Sequence, residues 1–285
     1  MRGDRDGGTP MILVTGATGN VGRQVVDQLL EAGERVRATS RDPARAGLPA
    51  EVDVRRADLR DPDTLPAVLD GVDRAYLFPV PGQVGGFLAA ARKAGLRRIV
   101  LLSSQAVTFD PRDVIGRAHA EYERAVEESG LAWTFVRPGA FMANDLAWAP
   151  AIRADGVVRA PYGRAATAPI HERDIAAVAV RALLDDGHAG RAYELTGPES
   201  LTAVERVRLI GASIGRDLRY EEQPPDEARR QMATHTPPAI VDAVLSILAS
   251  AVGAGAPVLP TVEEVTGRPA ASYTRWVGDH AADFR

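Results

Sequence analysis

Residues 11–22 of the chain read MILVTGATGNVG, and this stretch decides the fold. Its first four residues are an unbroken apolar run, which is typical of a strand buried on both faces. Gly16, Gly19 and Gly22 follow at intervals of three, and apolar residues then recur at helical spacing as far as Leu30. A strand, a glycine-rich turn and a helix in this order are the context in which such glycines bind a dinucleotide.

Each glycine has its own physical role in this prediction. Gly16 lets the chain turn sharply off the strand, Gly19 leaves the backbone open to a pyrophosphate, and Gly22 lets the helix pack closely on the strand. The exposed N–H groups and the positive helix end then attract phosphates. The alternative, an ordinary strand–helix turn, does not need three glycines. The sequence therefore predicts cofactor binding at this turn, through Gly16, Thr18, Gly19, Asn20, Val21 and Gly22.

The composition excludes several classes of function. The 285 residues include 34 basic and 38 acidic side chains, for a formal net charge of −4, which argues against nonspecific nucleic-acid binding. The chain has no cysteine, so disulfides and thiolate chemistry are excluded. The histidines show no metal-ligand spacing, and we predict no metal site.

The ends of the chain show no targeting or membrane signal. Residues 1–10 are polar and glycine-rich, lack the apolar core of a signal peptide, and are expected to form a disordered leader. The most apolar stretch, Ala239–Pro260, contains Asp242 and is interrupted by glycines and Pro257, so it is not expected to span a membrane. These features predict a cytoplasmic protein.

Strands and helices alternate along the first two thirds of the chain. Predicted strands lie at 11–14, 35–40, 52–57, 74–78, 99–102, 132–136 and 192–195. Predicted helices lie at 21–30, 83–94, 113–129, 174–184 and 202–214, with a further one near residue 62. This alternation predicts an α/β fold with a doubly wound parallel sheet. We assign 11–140 and 170–219 to a dinucleotide-binding domain, and 141–169 and 220–285 to a small, mostly helical substrate lobe.

The end of the second strand bears on cofactor choice. A site selective for NAD places an acidic residue about 20 residues past the glycines, but this chain has Ser40 and Arg41 there. A guanidinium cannot accept a hydrogen bond from the ribose 2′-hydroxyl, whereas it can pair with a 2′-phosphate. The sequence therefore predicts NADP(H) as the cofactor. Arg37 is a weaker second candidate, and a solvated surface arginine is the alternative.

Polar and aromatic residues follow several other predicted strands. Asp58 and Leu59 follow the third strand, and Asp58 is expected either to contact the adenine edge or to cap the next helix. Phe78 is the last residue of the fourth predicted strand and Pro79 follows it, and Ser103 follows the fifth strand. The carboxyl ends of parallel strands form the ligand-binding edge of an open sheet, so we predict cofactor contacts at all five residues. The next residue in the chain, Ser104, binds cofactor or substrate, or caps a turn.

Five segments resemble the NmrA-like group of atypical short-chain dehydrogenase/reductases. They are GATGNVG at 16–22, SRDP at 40–43, VRPGAFMAN at 136–144, HERDIAAVAV at 171–180 and YELTGPESLT at 193–202. The resemblance implies a Rossmann fold and an NAD(P)H cofactor. It leaves the reaction open, because this group includes quinone, triphenylmethane and isoflavone-type reductases together with regulators that sense NADP.

The chain departs from most short-chain dehydrogenases at one motif. Their Tyr-x-x-x-Lys pair, which supplies the proton donor, corresponds here to Ile115 and His119. The resemblance to the quinone-reductase branch suggests that His119 binds the nicotinamide ribose or supplies a proton. Alternatively, His119 pairs with Glu123 one helical turn away. His119 and Ser104 are therefore the candidate catalytic residues.

The segment after the sixth strand is rich in proline, glycine and aromatic residues. Pro138 is expected to lie beside the nicotinamide, with Phe141 and Asn144 as pocket walls. Trp148 and Tyr162 are expected to face a planar aromatic substrate, unless they belong to the core.

Three hypotheses for function follow. The first is an NADPH-dependent reductase of a small conjugated acceptor, such as a quinone or aromatic ketone. The second is a noncatalytic NADP(H) sensor that acts through a protein partner, and the third is an epimerase, dehydratase or isomerase that uses bound cofactor. The apolar segment at 240–252 is expected either to cover the pocket or to form a homodimer contact.

Overall fold

The computed structural model describes residues 10–109 and 113–285. The strands are β1 Met11–Val14, β2 Arg35–Ser40, β3 Asp53–Arg56, β4 Val72–Leu77, β5 Arg98–Leu102, β6 Ala132–Pro138, β7 Val157–Ala160, β8 Ala166–Thr167, β9 Arg191–Leu195, β10 Leu201–Thr202 and β11 Arg219–Glu222. The α-helices are α1 Asn20–Glu31, α2 Leu65–Leu69, α3 Val84–Ala94, α4 Val114–Glu128, α5 Ala149–Asp155, α6 Glu172–Leu184, α7 Ala203–Ile214, α8 Pro225–Met232, α9 Pro238–Ser250, α10 Thr261–Thr266, α11 Tyr273–Asp279 and α12 Ala281–Phe284. Short 3₁₀ helices lie at Pro43–Arg45, Pro62–Thr64, Gln105–Thr108 and Met142–Trp148.

Seven strands form one sheet in the order β3-β2-β1-β4-β5-β6-β9. β1 pairs in parallel with β2 and β4, and parallel pairing continues to β3 on one side and to β6 on the other. The strand order reverses at β1, so the ligand crevice of this sheet lies where the chain leaves β1 and β4. The predicted doubly wound parallel sheet is confirmed, and every strand of it begins and ends within two residues of its prediction.

Helices cover the sheet and make its central strands inaccessible to water. All four residues of β1 are buried, as are four of the five residues of β5. One core cluster joins the strands to α2 and α3 through residues such as Leu13, Leu69, Phe87, Leu101 and Phe135. This burial explains why these strands are continuous apolar runs in the sequence.

The described chain forms two compact units. The first contains 10–103, 120–136 and 176–193, and the second contains 104–109, 113–119, 137–175 and 194–285. The second unit has its own core, centred on Tyr273 and Trp276. No helix in the described ranges has both the length and the apolarity needed to cross a bilayer.

Four short strands in the second unit were not predicted. β7 pairs in parallel with β11, and β8 pairs antiparallel with β10. Strands of two to four residues give too few positions for an alternating pattern to be recognised. From Tyr220 onward the structure is mostly helical, as predicted, with β11 as a short strand before the five helices α8 to α12.

Candidate functional site

The glycine turn after β1 has the geometry that its sequence predicts. Gly16 has a φ of 63°, a left-handed conformation that side chains disfavour. Its carbonyl accepts a hydrogen bond from the Gly19 N–H at 3.0 Å, which closes the turn. A Cβ atom added to Gly22 would lie 2.1 Å from the Gly16 oxygen, so only glycine allows α1 to approach the strand this closely.

The start of α1 is suited to bind an anion. Gly19 is the N-cap residue and provides no side chain to bond the first helical N–H groups. The first turn, residues 20–23, reads Asn-Val-Gly-Arg and carries no negative charge. The unpaired N–H groups and the helix dipole therefore favour a phosphate at this position.

A pocket of about 650 Å³ in the first unit contains this turn. It brings together eight of the residues predicted to bind cofactor, which are Gly16, Thr18, Ser40, Arg41, Asp58, Leu59, Phe78 and Pro79. The pocket therefore extends from the glycine turn to the ends of β2, β3 and β4.

Two arginines in the loop after β2 line this pocket. Arg41 and Arg45 have exposed side chains, and within the described ranges neither guanidinium forms an ion pair. Arg60 is a third lining arginine, whereas Asp42 and Asp58 are the acidic ones. The sequence analysis predicts Arg41 as a cofactor-binding residue but does not predict Arg45, which is only four residues further along the same loop.

Arg37, the second candidate for the 2′-phosphate, has a structural role instead. Its Nε donates to Asp53 at 2.7 Å, and its Nη1 donates to the carbonyl oxygens of Val68 and Asp70. Because β2 and β3 are neighbouring strands, Asp53 lies beside Arg37 and neutralises its charge.

Arg23 holds the loop that carries the two exposed arginines. From the first turn of α1, its guanidinium donates to the carbonyl oxygens of Ala46 and Gly47 at 3.0 and 2.8 Å. These bonds join the phosphate-binding helix directly to the loop of Arg41 and Arg45.

Asp58 lines the pocket and does not cap the following helix. Its carboxylate accepts from the Arg60 N–H at 3.0 Å and stabilises the turn after β3. Asp61 caps the helix by accepting from the Asp63 N–H. The capping alternative for Asp58 is therefore wrong.

Phe78 packs against the glycine turn. Its N–H donates to the Thr15 hydroxyl at 2.8 Å. A Cβ atom added to Gly16 would lie only 2.7 Å from the Phe78 Cβ, so the two residues are in close contact. The residue is nevertheless 47% exposed and lines the pocket. A large exposed aromatic surface at this place is available to a ligand.

Ser103 has an internal partner. Its hydroxyl donates to Glu123 at 2.5 Å, and the residue is only 2% exposed. This hydroxyl is therefore already committed, which disfavours the predicted role of Ser103 as a side-chain cofactor contact.

The second unit contains a larger cavity of about 1350 Å³. Five predicted catalytic or substrate residues line it, namely Ser104, Phe141, Asn144, Trp148 and Tyr162. Residues of α9 also line it, including Val244, Ile247 and Leu248. The apolar segment at 240–252 thus covers this cavity, which was one of its two predicted roles.

A buried ion pair lies in the wall of this cavity and was not predicted. Arg206 donates to both carboxylate oxygens of Asp145, at 2.6 and 2.7 Å, and the Tyr273 hydroxyl donates to the same carboxylate at 2.6 Å. The guanidinium carbon lies 5.0 Å from the centre of the Trp148 ring. Burial raises the pKa of Asp145, although Arg206 and Tyr273 act against it.

The Ser104 side chain already takes part in one hydrogen bond. Its Oγ accepts from the Ala106 N–H at 3.2 Å and caps the 3₁₀ helix that follows. Because this contact uses a lone pair, the hydroxyl hydrogen can still be donated into the cavity.

The remaining candidates lie outside the lining of both cavities. His119 is a half-buried residue of α4, and Pro138 ends β6. Their predicted roles stay predictions, as do the cofactor-binding roles of Gly19, Asn20, Val21 and Gly22 at the start of α1.

Comparison with known proteins gives a consistent result. A model of an NAD(P)H-binding family matches residues 16–186. A (4-alkanoyl-5-oxo-2,5-dihydrofuran-3-yl)methyl phosphate reductase of Streptomyces griseus subsp. griseus is 46% identical, covering 96% of this chain and 99% of the relative. An NAD(P)H azoreductase of Xenophilus azovorans is 41% identical, covering 96% and 99%.

A solved structure agrees with both the fold and the sequence. The NADPH-dependent quinone oxidoreductase QOR2 of Escherichia coli, complexed with NADPH, superposes with a TM-score of 0.81 at 27% identity. The match covers 95% of this chain and 99% of that one.

Proposed function

The chain belongs to the NAD(P)H-binding family, in the NmrA-like group of atypical short-chain dehydrogenase/reductases, and we propose that it is an NADPH-dependent reductase of a small conjugated acceptor. Quinones and aromatic ketones are the acceptor classes that we favour. The observation that carries the proposal is the pocket of the first unit, where the glycine turn, Arg41 and Arg45 line one space and neither guanidinium is ion-paired to any residue that the structure describes.

The donors that line this pocket and the adjacent start of α1 fit NADPH. The start of α1 offers backbone N–H groups to the pyrophosphate, and Arg41 and Arg45 offer guanidinium groups to the 2′-phosphate. Phe78 offers an exposed aromatic face. NADH lacks the 2′-phosphate, so these guanidinium groups favour NADPH.

The lining of the second cavity supports a flat, conjugated acceptor. Phe141, Trp148 and Tyr162 are aromatic, and several residues of α9 are aliphatic. The two enzymes most similar among those described above are named for an oxodihydrofuran and for azo compounds, and QOR2 is named for quinones. Each of these names denotes an unsaturated system that can accept a hydride and delocalise the resulting charge.

The reaction requires the protein to orient the acceptor and to stabilise the negative charge that develops on it. NADPH, when bound, would supply the hydride. A conjugated acceptor spreads the developing charge, so a hydrogen bond from the Ser104 hydroxyl to the acceptor oxygen stabilises the resulting anion, which takes its proton from solvent water when the product is released. The apolar residues of α9 exclude water from the cavity.

The test is NADPH oxidation by purified protein with a naphthoquinone, an azo dye and an α,β-unsaturated ketone. We expect turnover with at least one acceptor, a kcat/KM at least about tenfold higher with NADPH than with NADH, and a lower kcat in Ser104→Ala. Tight NADPH binding without turnover on any acceptor would contradict the proposal and favour the NADP(H) sensor.

A further inference from the structure

The loop after β7 contains an unusual backbone conformation. Tyr162 has a φ of 57° and is the only non-glycine residue with a positive φ in the described parts of the chain. The left-handed region is unfavourable for a bulky residue, and such strain persists only where the surroundings enforce it.

Glu222 enforces this conformation from the end of β11. One carboxylate oxygen accepts from the Tyr162 N–H at 2.6 Å, and the other accepts from the Gly163 N–H at 2.9 Å. β11 pairs with β7 so that Glu222 is in register with Ala160. The strand pairing therefore fixes the carboxylate beside the loop.

Tyr220, two residues earlier on β11, restrains the same loop. Its hydroxyl donates to the carbonyl oxygen of Ala160 at 2.5 Å. A Cβ atom on Gly163 would lie 2.4 Å from the Tyr220 ring, so a side chain after Tyr162 would displace this ring. The Ala165 N–H then donates to the Tyr162 carbonyl at 2.8 Å and closes the turn.

The other side of this loop belongs to the cavity of the second unit. Tyr162, Ala165 and Ala166 all line it. The Ala166 N–H donates to the Ala251 carbonyl at 3.2 Å, next to the end of α9 that covers the cavity. A restrained aromatic residue is thus part of the cavity wall.

We infer that Glu222 is a positioning residue, which holds Tyr162 in its left-handed conformation so that the ring forms a rigid, flat wall selective for planar aromatic acceptors. Compact aliphatic acceptors gain little from this wall, because the face of an aromatic ring interacts best with another flat π-system. The inference rests on the proposed function, since it takes this cavity to be the acceptor site.

The experiment compares a planar probe, naphthoquinone, with a compact one, cyclohexenone. Dissociation constants come from quenching of tryptophan fluorescence, and kcat and KM come from NADPH oxidation. In Glu222→Ala we expect the preference for naphthoquinone over cyclohexenone to fall about three- to tenfold, through KM rather than kcat. Glu222→Gln keeps one oxygen acceptor and is expected to be intermediate. Affinity for NADPH is expected to be unchanged.

A matched control removes the same charge from the same strand. Glu221 is the preceding residue and is exposed, and its carboxylate pairs with Arg159. Glu221→Ala is expected to leave the preference for naphthoquinone unchanged. An equal loss in the Glu221 and Glu222 variants would overturn the inference, because charge alone would then explain the effect.

A double-mutant cycle separates positioning from general structural damage. Tyr162→Gly removes the ring and adopts a positive φ without strain, so it is expected to lower the preference by itself. Adding Glu222→Ala to this variant is expected to lower the preference no further. A second, additive loss would contradict the inference.

The two proposals fail in distinguishable ways. If the wild-type protein binds naphthoquinone but does not reduce it, the proposed function fails, while the dissociation constants still test the role of Glu222. Should Glu222→Ala fail to fold, the comparison of Tyr162→Gly with Tyr162→Phe decides, since the phenylalanine variant is expected to keep the preference. Equal preference in these two variants would overturn the inference.

Discussion

A single guanidinium nitrogen of Arg206, Nη1, donates to both carboxylate oxygens of Asp145, and both side chains are at least nine-tenths buried. The Tyr273 hydroxyl is a further donor to this carboxylate. The charge of Arg206 is therefore neutralised inside the cavity wall. The pair joins the segment after β6 to α7, and the guanidinium carbon also lies 5.0 Å from the centre of the Trp148 ring.

Removal of one partner from this pair is expected to be far more harmful than removal of both. Asp145→Ala leaves a buried, uncompensated guanidinium and should lower the free energy of unfolding by about 3–5 kcal/mol. The double variant Asp145→Leu with Arg206→Met replaces two charges by apolar volume and should lie closer to wild type. Urea unfolding measures both values, and a double variant less stable than Asp145→Ala would contradict this account.

The guanidinium of Arg41 is expected to determine cofactor preference. Arg41→Ala should weaken NADPH binding about 10- to 100-fold, because a charge-assisted contact contributes about 1.5–3 kcal/mol, and should leave NADH binding nearly unchanged. Calorimetric titration with each cofactor measures the ratio. Arg92, an exposed residue of α3, provides a control for the loss of one positive charge. An unaltered NADPH/NADH ratio in Arg41→Ala would show that this arginine is only solvated surface.

Alanine substitutions at Gly19 and at Gly22 are expected to have different effects on stability. Gly22→Ala places a Cβ 2.1 Å from a backbone oxygen and should cost about 1–3 kcal/mol of stability, since the strand and helix must separate. Gly19→Ala places its Cβ 3.3 Å from the same oxygen, so the fold should tolerate it at a cost of about 1 kcal/mol or less.

Cofactor binding distinguishes the two variants further. The added Cβ of Gly19→Ala obstructs the approach of the pyrophosphate, which NADPH and NADH share. Both cofactors should therefore bind about tenfold more weakly to this variant, with the melting temperature near that of wild type. A selective loss of NADPH alone would place the obstruction at the 2′-phosphate and contradict the predicted path of the dinucleotide.

The sequence predicts well those elements whose characteristic pattern lies within a few consecutive residues. The central strands β1 and β5 are short, mostly apolar runs, and Gly16, Gly19 and Gly22 define one turn within a few residues. The start of α6 is less well predicted: the helix begins at Glu172, two residues before the predicted Asp174. His171 bonds the Arg173 N–H there, while Asp174 accepts from the distant Ala271 N–H.

The features that the sequence does not predict join residues far apart in the chain. Asp145 and Arg206 are separated by 61 positions, and Tyr162 and Glu222 by 60. Neither pair has a local pattern, because each partner alone resembles an ordinary charged or aromatic residue. Arg37 illustrates the same limit: only the pairing of β2 with β3 reveals that its charge is already used by Asp53.

The pH dependence of stability is expected to reflect a cluster between α6 and the last two helices. Glu172 accepts from Trp276 and pairs with His280 at 2.9 Å, and His171 lies 3.4 Å from the same carboxylate group. Burial opposes ionisation of Glu172, but the nearby positive charge of His171 and hydrogen bonds with its own backbone and with His280 hold its pKa at about 2. Burial also opposes protonation of His171, yet Glu172 and two aspartates raise its pKa above the ordinary 6.5.

The two shifts predict losses of stability at opposite ends of the pH range. The contribution of Glu172 is complete above its unfolded pKa of 4.5 and is lost as the pH falls toward 2. The contribution of His171 is complete below 6.5 and is lost as the pH rises through its raised folded pKa. Urea midpoints measured across this range should therefore be highest between about pH 4.5 and 6.5. Glu172→Gln should reduce the fall of the urea midpoint at low pH. Glu263→Gln, a change at an exposed residue of α10, should leave this fall unchanged. If the urea midpoint falls equally steeply at low pH in both variants, other carboxylates control the acid-induced loss of stability.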